Sequence, residues 1–192
     1  MSQSTVFELA VGNSLSRHEK SGALALDVTV VTGASLLLFL SSRMSVEIGP
    51  VPVTMQSIAA IMLALVLGPK RAAAAALLYF VECWAIPGFS TRPMTMTGGY
   101  VLGFVAAASI AGHLYQLGHG RTWLKAFFAS SVANLAIFVV GIPWLAMTIG
   151  FSQAWEFGGK PFIAAELIKI ACGVALLKSM SAVADRFESP QS

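Results

Sequence analysis

Three ionisable side chains, Glu82, Glu166 and Lys169, lie inside long apolar stretches of this sequence. A charged group at membrane depth costs about 3 kcal/mol or more, so such residues are candidates for function by default. Glu166 and Lys169 are spaced so that a helix places both on one face, within reach of each other. Together they offer one anionic and one cationic group. This pair suits a small ligand that carries a carboxylate at one end and hydrogen-bond donors at the other.

The residues alone leave two interpretations of this pair open. In the first, Lys169 binds the carboxylate of the ligand and Glu166 accepts hydrogen bonds from its donors. In the second, the two residues form an internal ion pair that only neutralises itself. Glu82 has its own alternatives, because it could join the same polar cluster or face the headgroups at the outer surface.

The segment from residue 90 to residue 100 contains weaker candidates for ligand contact. Arg92 is expected in an outer loop, where it either covers the mouth of a pocket or is simply solvated. Gly98 and Gly99 precede Tyr100, and their lack of side chains lets backbone and ring come close to a neighbouring group. Double glycines are common in membrane helices, so this motif is weak alone.

The elements that position these residues follow from composition. The chain is 56% hydrophobic and only 11% charged, with a mean hydropathy of +0.76, whereas about a quarter of the residues in a soluble domain are charged. A helix needs about 20 apolar residues to cross a bilayer. We therefore predict an all-α integral membrane protein, a single domain over 1–192 that forms a compact bundle of six transmembrane helices. The predicted crossings are 24–41, 51–68, 72–88, 98–117, 123–150 and 161–182.

The basic residues predict the orientation of this bundle. Cytoplasmic loops of membrane proteins carry an excess of lysine and arginine. Six crossings divide the basic residues of loops and tails unequally, and the richer side holds both polar tails, 1–22 and 183–192. Both termini are therefore expected in the cytoplasm. The richer side holds Arg17, Lys20, Lys70, Arg71, Arg121, Lys125, Lys178 and Arg186, and the poorer side Arg43, Arg92 and Lys160.

Several other classes of function are disfavoured. The sequence contains no GxxxxGK[ST] loop to bind ATP phosphates, and no serine–histidine, paired-aspartate or HExxH arrangement. The histidines have no third metal ligand nearby, and the cysteines lack CxxC spacing. The basic residues form no stripe, so no nucleic-acid partner is expected. We expect no enzyme activity, metal or cofactor, and the lipid bilayer as the surrounding partner.

Five segments, spread in order along the chain, resemble one family. They are GPVPVTMQ (49–56), LGPKRAAAAALLY (67–79), TGGYVLGF (97–104), GIPWLA (141–146) and PFIAAELIKI (161–170). The sequence resembles the BioY family, the biotin-specific substrate-binding subunits of energy-coupling-factor (ECF) transporters. The resemblance implies a six-helix bundle that captures biotin near the outer surface. It also implies, as partners, a membrane coupling subunit (T component) and ATP-binding cassette ATPases, although some relatives are thought to work alone.

The resemblance also assigns site residues. The acidic residue and lysine of the family's D-x-x-K pattern fall on Glu166 and Lys169, its TGGY segment on Thr97–Tyr100, and its helix 2 glutamine on Gln56. Arg92 and Glu82 remain candidates on the grounds given above. An alternative stays open, in which the chain is a binding subunit or a secondary transporter for another small carboxylate-bearing vitamin.

The sequence departs from the family pattern at several positions. Glu166 replaces the family's aspartate, Ala164-Ala165 replaces a Pro-Gly pair, and Met96 replaces a proline before TGGY. The loop between the third and fourth helices is also shorter than the glycine-rich loop of the family. These differences put the geometry of the loop over the ligand in doubt more than the identity of the ligand.

Overall fold

The computed structural model describes residues 20–47 and 49–188 of the chain. Within them, six helices of 12 or more residues lie on the six predicted apolar stretches, with a short helix before the last of them. Most of the polar tails, residues 1–19 and 189–192, lies outside the described residues. The helices are α1 (Lys20–Arg43), α2 (Gln56–Leu67), α3 (Pro69–Ala85), α4 (Met94–Leu114), α5 (Trp123–Ile149), α6 (Phe151–Gly158) and α7 (Lys160–Glu188).

Three stretches of the described chain are both long and apolar enough to cross a membrane. They are Gly22–Arg43, Met94–His119 and Trp123–Ile149. The apolar helix α2 has 12 residues, which at 1.5 Å per residue span about 18 Å, less than a hydrocarbon core of about 30 Å. The protein is thus an all-helical, multi-pass membrane protein.

The start of the second helix was predicted wrongly, because the apolar stretch from residue 51 begins as a hairpin. β1 (Ser45–Val46) pairs antiparallel with β2 (Val53–Thr54), and α2 begins only at Gln56. Pro52 lacks a backbone N–H and disfavours helical backbone in the residue before it. The β-branched residues that follow favour a strand. The hairpin therefore places β2 directly before the first turn of α2.

The short helix α6 was not predicted, since its eight residues mix polar and apolar side chains. It is separated from α5 by Gly150, whose φ of 81° is in the left-handed region that favours glycine. Only Ala154 and Gly158 of α6 are buried. The helix therefore lies across the bundle end and packs against it through two small residues.

Small residues let α4 pack closely against its neighbours, as is common for membrane helices. A Cβ added to Gly103 would lie 2.7 Å from the Cα of Ile137 in α5, and one added to Gly112 would lie 2.7 Å from the Cα of Pro69 in α3. Ala107, Ala108 and Ala111 are fully buried. α4 is therefore the central helix of the bundle, and it contributes to the site described below.

Contacts between elements define the two ends of the bundle. At one end Arg71 forms an ion pair with Asp27 at 2.9 Å, and Lys178 donates to the backbone oxygen of Arg121 at 3.0 Å. At the other end Arg43 donates to the backbone oxygen of Gly88 at 3.0 Å. The basic residues of the described chain thus divide between the ends as predicted. The richer end holds Lys70, Arg71, Arg121, Lys125 and Lys178, and the poorer end Arg43, Arg92 and Lys160.

Candidate ligand-binding site

A cavity of about 50 Å³ lies at the end of the bundle with fewer basic residues. Its walls are mainly aromatic and apolar, and the two loops that follow α1 and α3 contribute to its lining. A space of this size holds only a few water molecules, at roughly 10–15 Å³ each. The aromatic side chains of the lining are Tyr79, Tyr100, Phe104, Phe138 and Phe162.

Glu166 of α7 is the charged residue among those that line the cavity. Its side chain is buried, with 5% of the residue exposed. Its Oε1 accepts a hydrogen bond from Ser57 Oγ at 3.0 Å and pairs with the ammonium of Lys169. Its Oε2 is buried and has no hydrogen-bond partner among the described residues. Since buried polar atoms are nearly always satisfied, Oε2 is the acceptor that a ligand in the cavity can use.

Lys169 lies behind Glu166 and is not among the described residues that line the cavity. Its side chain is only 10% exposed. Its Nζ donates to the backbone oxygen of Thr54 at 2.7 Å, to Ser57 Oγ at 2.7 Å, and to Glu166 Oε1. An ammonium has three N–H donors, so these three acceptors use all of them. The structure thus places the predicted pair together but turns the lysine toward the carboxylate and the hairpin.

Gln56 lines the cavity at the first residue of α2. Its Oε1 accepts a hydrogen bond from Thr54 Oγ1 at 3.1 Å, which fixes the orientation of the amide. Its Nε2 is buried and forms no well-aligned hydrogen bond among the described residues, and the Tyr79 hydroxyl lies near the same amide. The cavity therefore offers an unpaired amide donor together with the unpaired carboxylate oxygen of Glu166. Leaving such groups unpaired costs about 1–3 kcal/mol each, which a ligand with matching acceptor and donor groups would recover.

Tyr100 of α4 forms part of the aromatic wall and is also buried. Its hydroxyl donates to the backbone oxygen of Gly158 at 3.1 Å, which ties the wall to the end of α6. Its ring stacks with Phe162, with centroids 6.3 Å apart, and meets the edge of Phe138 at 6.2 Å. These rings form an apolar surface suited to the body of a small ring-containing ligand.

The predicted glycine pair, Gly98 and Gly99, packs against α5 and is not among the residues lining the cavity. A Cβ on Gly98 would lie 3.0 Å from Cζ2 of Trp144, and one on Gly99 would lie 2.2 Å from Cβ of the same tryptophan. The indole of Trp144 donates to the backbone oxygen of Thr95 at 3.1 Å. The glycines thus allow the close approach that was predicted, but they approach a tryptophan and leave Tyr100 to face the cavity.

Replacing Gly99 by alanine is expected to destabilise the folded protein by about 1–3 kcal/mol, because the new methyl group overpacks the contact with Trp144. Gly33→Ala is the matched control, since a Cβ there meets nothing within 4 Å and alanine favours the helix. Thermal unfolding of both variants in one detergent measures the difference. Equal stability of the two variants would contradict the packing role of Gly99.

Glu82 and Arg92 lie outside the cavity lining. Glu82 is half-buried and accepts a hydrogen bond from Ser35 of α1, so it lies at the contact between α1 and α3. Arg92 forms an ion pair with Glu47 and so joins the loop after α1 to the loop before α4. Its neighbours in the sequence, Ser90 and Thr91, line the cavity. Arg92 is therefore at the rim, whereas Glu82 is separate from the site.

Other lining residues were not singled out from the sequence. Ser57 bonds to both Glu166 and Lys169, and Tyr79 and Phe162 belong to the aromatic wall. Ser57 follows Gln56 directly within an apolar stretch, a signal that could have identified it. Phe162 comes one helical turn before Glu166, so the helical repeat of α7 places both on one face.

Known proteins resemble this chain over most of its length. The sequence profile of the BioY family matches residues 13–186. The probable biotin transporter BioY of Pyrococcus horikoshii is 34% identical over 163 residues, which are 81% of this chain and 96% of that protein. The biotin transporter BioY2 of Lactococcus lactis is 31% identical over 166 residues, covering 79% of this chain and 90% of that protein.

A solved structure has the same fold. The crystal structure of the S-component for biotin from an ECF-type ABC transporter superposes with a TM-score of 0.70 at 16% sequence identity. The match covers 88% of this chain and 95% of that chain. At this identity the match supports the fold, while the profile and the relatives carry the family assignment. The chain therefore belongs to the BioY family.

Proposed function

We propose that this protein binds biotin in the cavity and serves as the substrate-specific subunit for biotin uptake. The observation that carries the proposal is the unpaired Glu166 Oε2 and Gln56 Nε2 in one aromatic-walled cavity. Biotin joins a compact bicycle, whose ureido group has two N–H donors and one carbonyl acceptor, to a chain that ends in a carboxylate. Its ureido group matches the two unpaired groups. The relatives named as biotin transporters support the same ligand.

The contacts suggest a role for each residue. A ureido N–H donates to Glu166 Oε2, and Gln56 Nε2 donates to the ureido oxygen. The bicycle packs against Tyr100 and Phe162. Lys169 pairs with Glu166 and orients its carboxylate. Arg92, at the rim, adds positive charge near the carboxylate of the ligand.

We further propose that the chain crosses the cytoplasmic membrane of a bacterium six times, with residues 1–192 as one membrane domain. The 12-residue α2 completes its crossing together with the extended residues that precede it. The more basic end of the bundle then faces the cytoplasm together with both termini, by the positive-inside rule. This orientation places the ligand cavity at the outer surface. Biotin is the transported ligand, and no bound cofactor is needed.

ATP-driven uptake would require other subunits, since the sequence has no phosphate-binding loop of the P-loop type. A membrane coupling subunit and ATP-binding cassette ATPases are the partners that fit, because the structural neighbour is a component of an ECF-type ABC transporter. In the alternative arrangement, the protein takes up biotin without these partners. The two arrangements share the binding site and differ only in what supplies the energy.

The purified chain is expected to bind radiolabelled biotin without hydrolysing ATP. Unlabelled desthiobiotin, which keeps the ureido group and the carboxylate, should compete. Nicotinic acid, a vitamin with a carboxylate but no ureido group, should not. Equilibrium binding in detergent gives the result. Binding of nicotinic acid in preference to biotin would instead favour a subunit for another carboxylate-bearing vitamin, and absence of biotin binding by folded protein would reject the proposal.

A further inference from the structure

A second concave surface, the α4–α5 groove, lies at the end of the bundle opposite the ligand cavity. It has a volume of about 320 Å³ and runs between the last turn of α4 and the first turns of α5. Leu114, Leu124, Phe128 and Val132 form its apolar walls, and His119 and Lys125 also line it. None of these residues takes part in the site described above. The groove thus combines an apolar channel with basic side chains.

In the orientation proposed above, on which this inference rests, the apolar part of the groove faces the hydrocarbon of the membrane. Leu124 is 67% exposed, Phe128 59% and Val132 55%. They belong to a helix that is long and apolar enough to cross a membrane and that begins at Trp123. At 1.5 Å per residue, Phe128 and Val132 lie about 8 and 14 Å along this helix from its start. Trp123, itself 55% exposed, is suited to the aromatic belt at the interface.

The basic part of the groove lies at the membrane boundary. Lys125 and His119 are exposed, and the N-terminal end of α5 adds partial positive charge. Lys125 forms no side-chain ion pair within the part of the chain that the structure describes. Asp27, an acidic residue at this end, is paired with Arg71. Lys125 is therefore available to pair with an external anion.

We propose that the α4–α5 groove binds an anionic phospholipid of the leaflet opposite the ligand cavity. One acyl chain lies along Phe128 and Val132, and the phosphate lies at Lys125 and His119. Basic pockets between transmembrane helices bind anionic headgroups in this way. A neutral partner helix would fill the apolar channel but leave the charge of Lys125 unmatched, so charge complementarity favours the lipid. The bound lipid packs beside the turn that joins α4 to α5.

Native mass spectrometry of the purified chain, titrated with phosphatidylglycerol or phosphatidylcholine, tests this site. Phosphatidylglycerol is expected to bind preferentially. Lys125→Gln should reduce its affinity about fivefold, the effect of one lysine near an anionic surface, and leave phosphatidylcholine unchanged. Lys70→Gln is the matched control, an exposed lysine at the same end that does not line the groove. Lys70→Gln should leave the binding of both lipids unchanged.

Val132→Trp provides an independent arm, because the larger ring fills the apolar channel without changing charge. It is expected to lower binding of both lipids. Thermal unfolding of each variant confirms that these exposed substitutions leave the protein folded. Equal binding of the two lipids by the wild type would overturn the proposal. The proposal would also be overturned if Lys70→Gln weakened binding of phosphatidylglycerol as much as Lys125→Gln does. The effect would then come from the total charge at this end of the bundle and not from the groove.

Discussion

Replacing Glu166 by glutamine is expected to weaken biotin binding by about tenfold to a hundredfold. In the proposed complex the buried Oε2 of Glu166 accepts a charge-assisted hydrogen bond from the ureido group. A hydrogen bond to a charged group contributes about 1.5–3 kcal/mol. Each 1.4 kcal/mol is about tenfold in affinity. Glutamine keeps the shape of the side chain, so the loss reports on its charge and its acceptor capacity.

Two carboxylate variants serve as controls for this measurement. Glu166→Asp keeps the charge and restores the residue type expected from the family pattern, so it should lose much less affinity than the glutamine variant. Glu82→Gln changes another carboxylate in an apolar helix, one that contacts Ser35 and lies outside the cavity lining. It should bind biotin like the wild type. A comparable loss in Glu82→Gln would contradict the location of the site.

Glu166→Gln also removes the counter-charge of Lys169, and a broken buried pair costs about 3–5 kcal/mol of stability. A loss of binding could therefore reflect unfolding. The double variant Glu166→Gln/Lys169→Met separates the two effects, since replacing a buried ion pair by apolar groups is often neutral. We expect it to regain thermal stability and still fail to bind biotin. Recovery of biotin binding by the double variant would show that Glu166 is not a ligand contact.

The positions of the long helices were predictable because apolar stretches and their Gly and Pro boundaries are local signals. The pairing of Glu166 with Lys169 was predictable for the same reason, since both residues lie on one turn of one helix. The hairpin before α2 was not, because a two-residue strand is formed only by pairing with another segment. The six crossings and the cytoplasmic termini stay predictions, since three described stretches meet the length and hydropathy needed for a span.

Side-chain direction was the part of the site that local patterns could not give. Lys169 bonds to Thr54, which is 115 residues away in the chain, so its partners depend on how α7 packs against the hairpin. The cost of placing a charged group at membrane depth identified Glu82 as a candidate. The sequence could not show that Ser35 of α1 is its hydrogen-bond partner. The Gly98-Gly99 pair indicated a close approach without indicating that Trp144 would fill the space.

Lys169→Ala is expected to weaken binding of biotin and of biotin amide by the same factor. From the sequence, the ammonium was expected to pair with the carboxylate of the ligand. In the structure it instead donates to Thr54, Ser57 and Glu166. Its loss leaves Glu166 buried without its counter-charge, which favours reorientation of the carboxylate that both ligands need. The free energy lost is then the same for the acid and the amide.

The ratio of the two affinities distinguishes the two roles of Lys169. If its ammonium meets the ligand carboxylate, alanine removes a buried charge pair worth about 3–5 kcal/mol, and acid binding falls at least about a hundredfold while amide binding changes little. That result would show that Lys169 contacts the ligand and does not act only by orienting Glu166.

Arg92→Gln is the comparison, because this side chain lies at the rim and is 36% exposed. An exposed pair contributes about 0.2–1 kcal/mol, so Arg92→Gln should lower acid binding by at most about fivefold and leave amide binding unchanged. Titrating wild type and both variants with both ligands therefore shows which cation meets the carboxylate. If the ratio of the affinity for biotin to the affinity for biotin amide stays unchanged in Lys169→Ala and falls in Arg92→Gln, the contact with the ligand carboxylate belongs to Arg92, in the loop before α4.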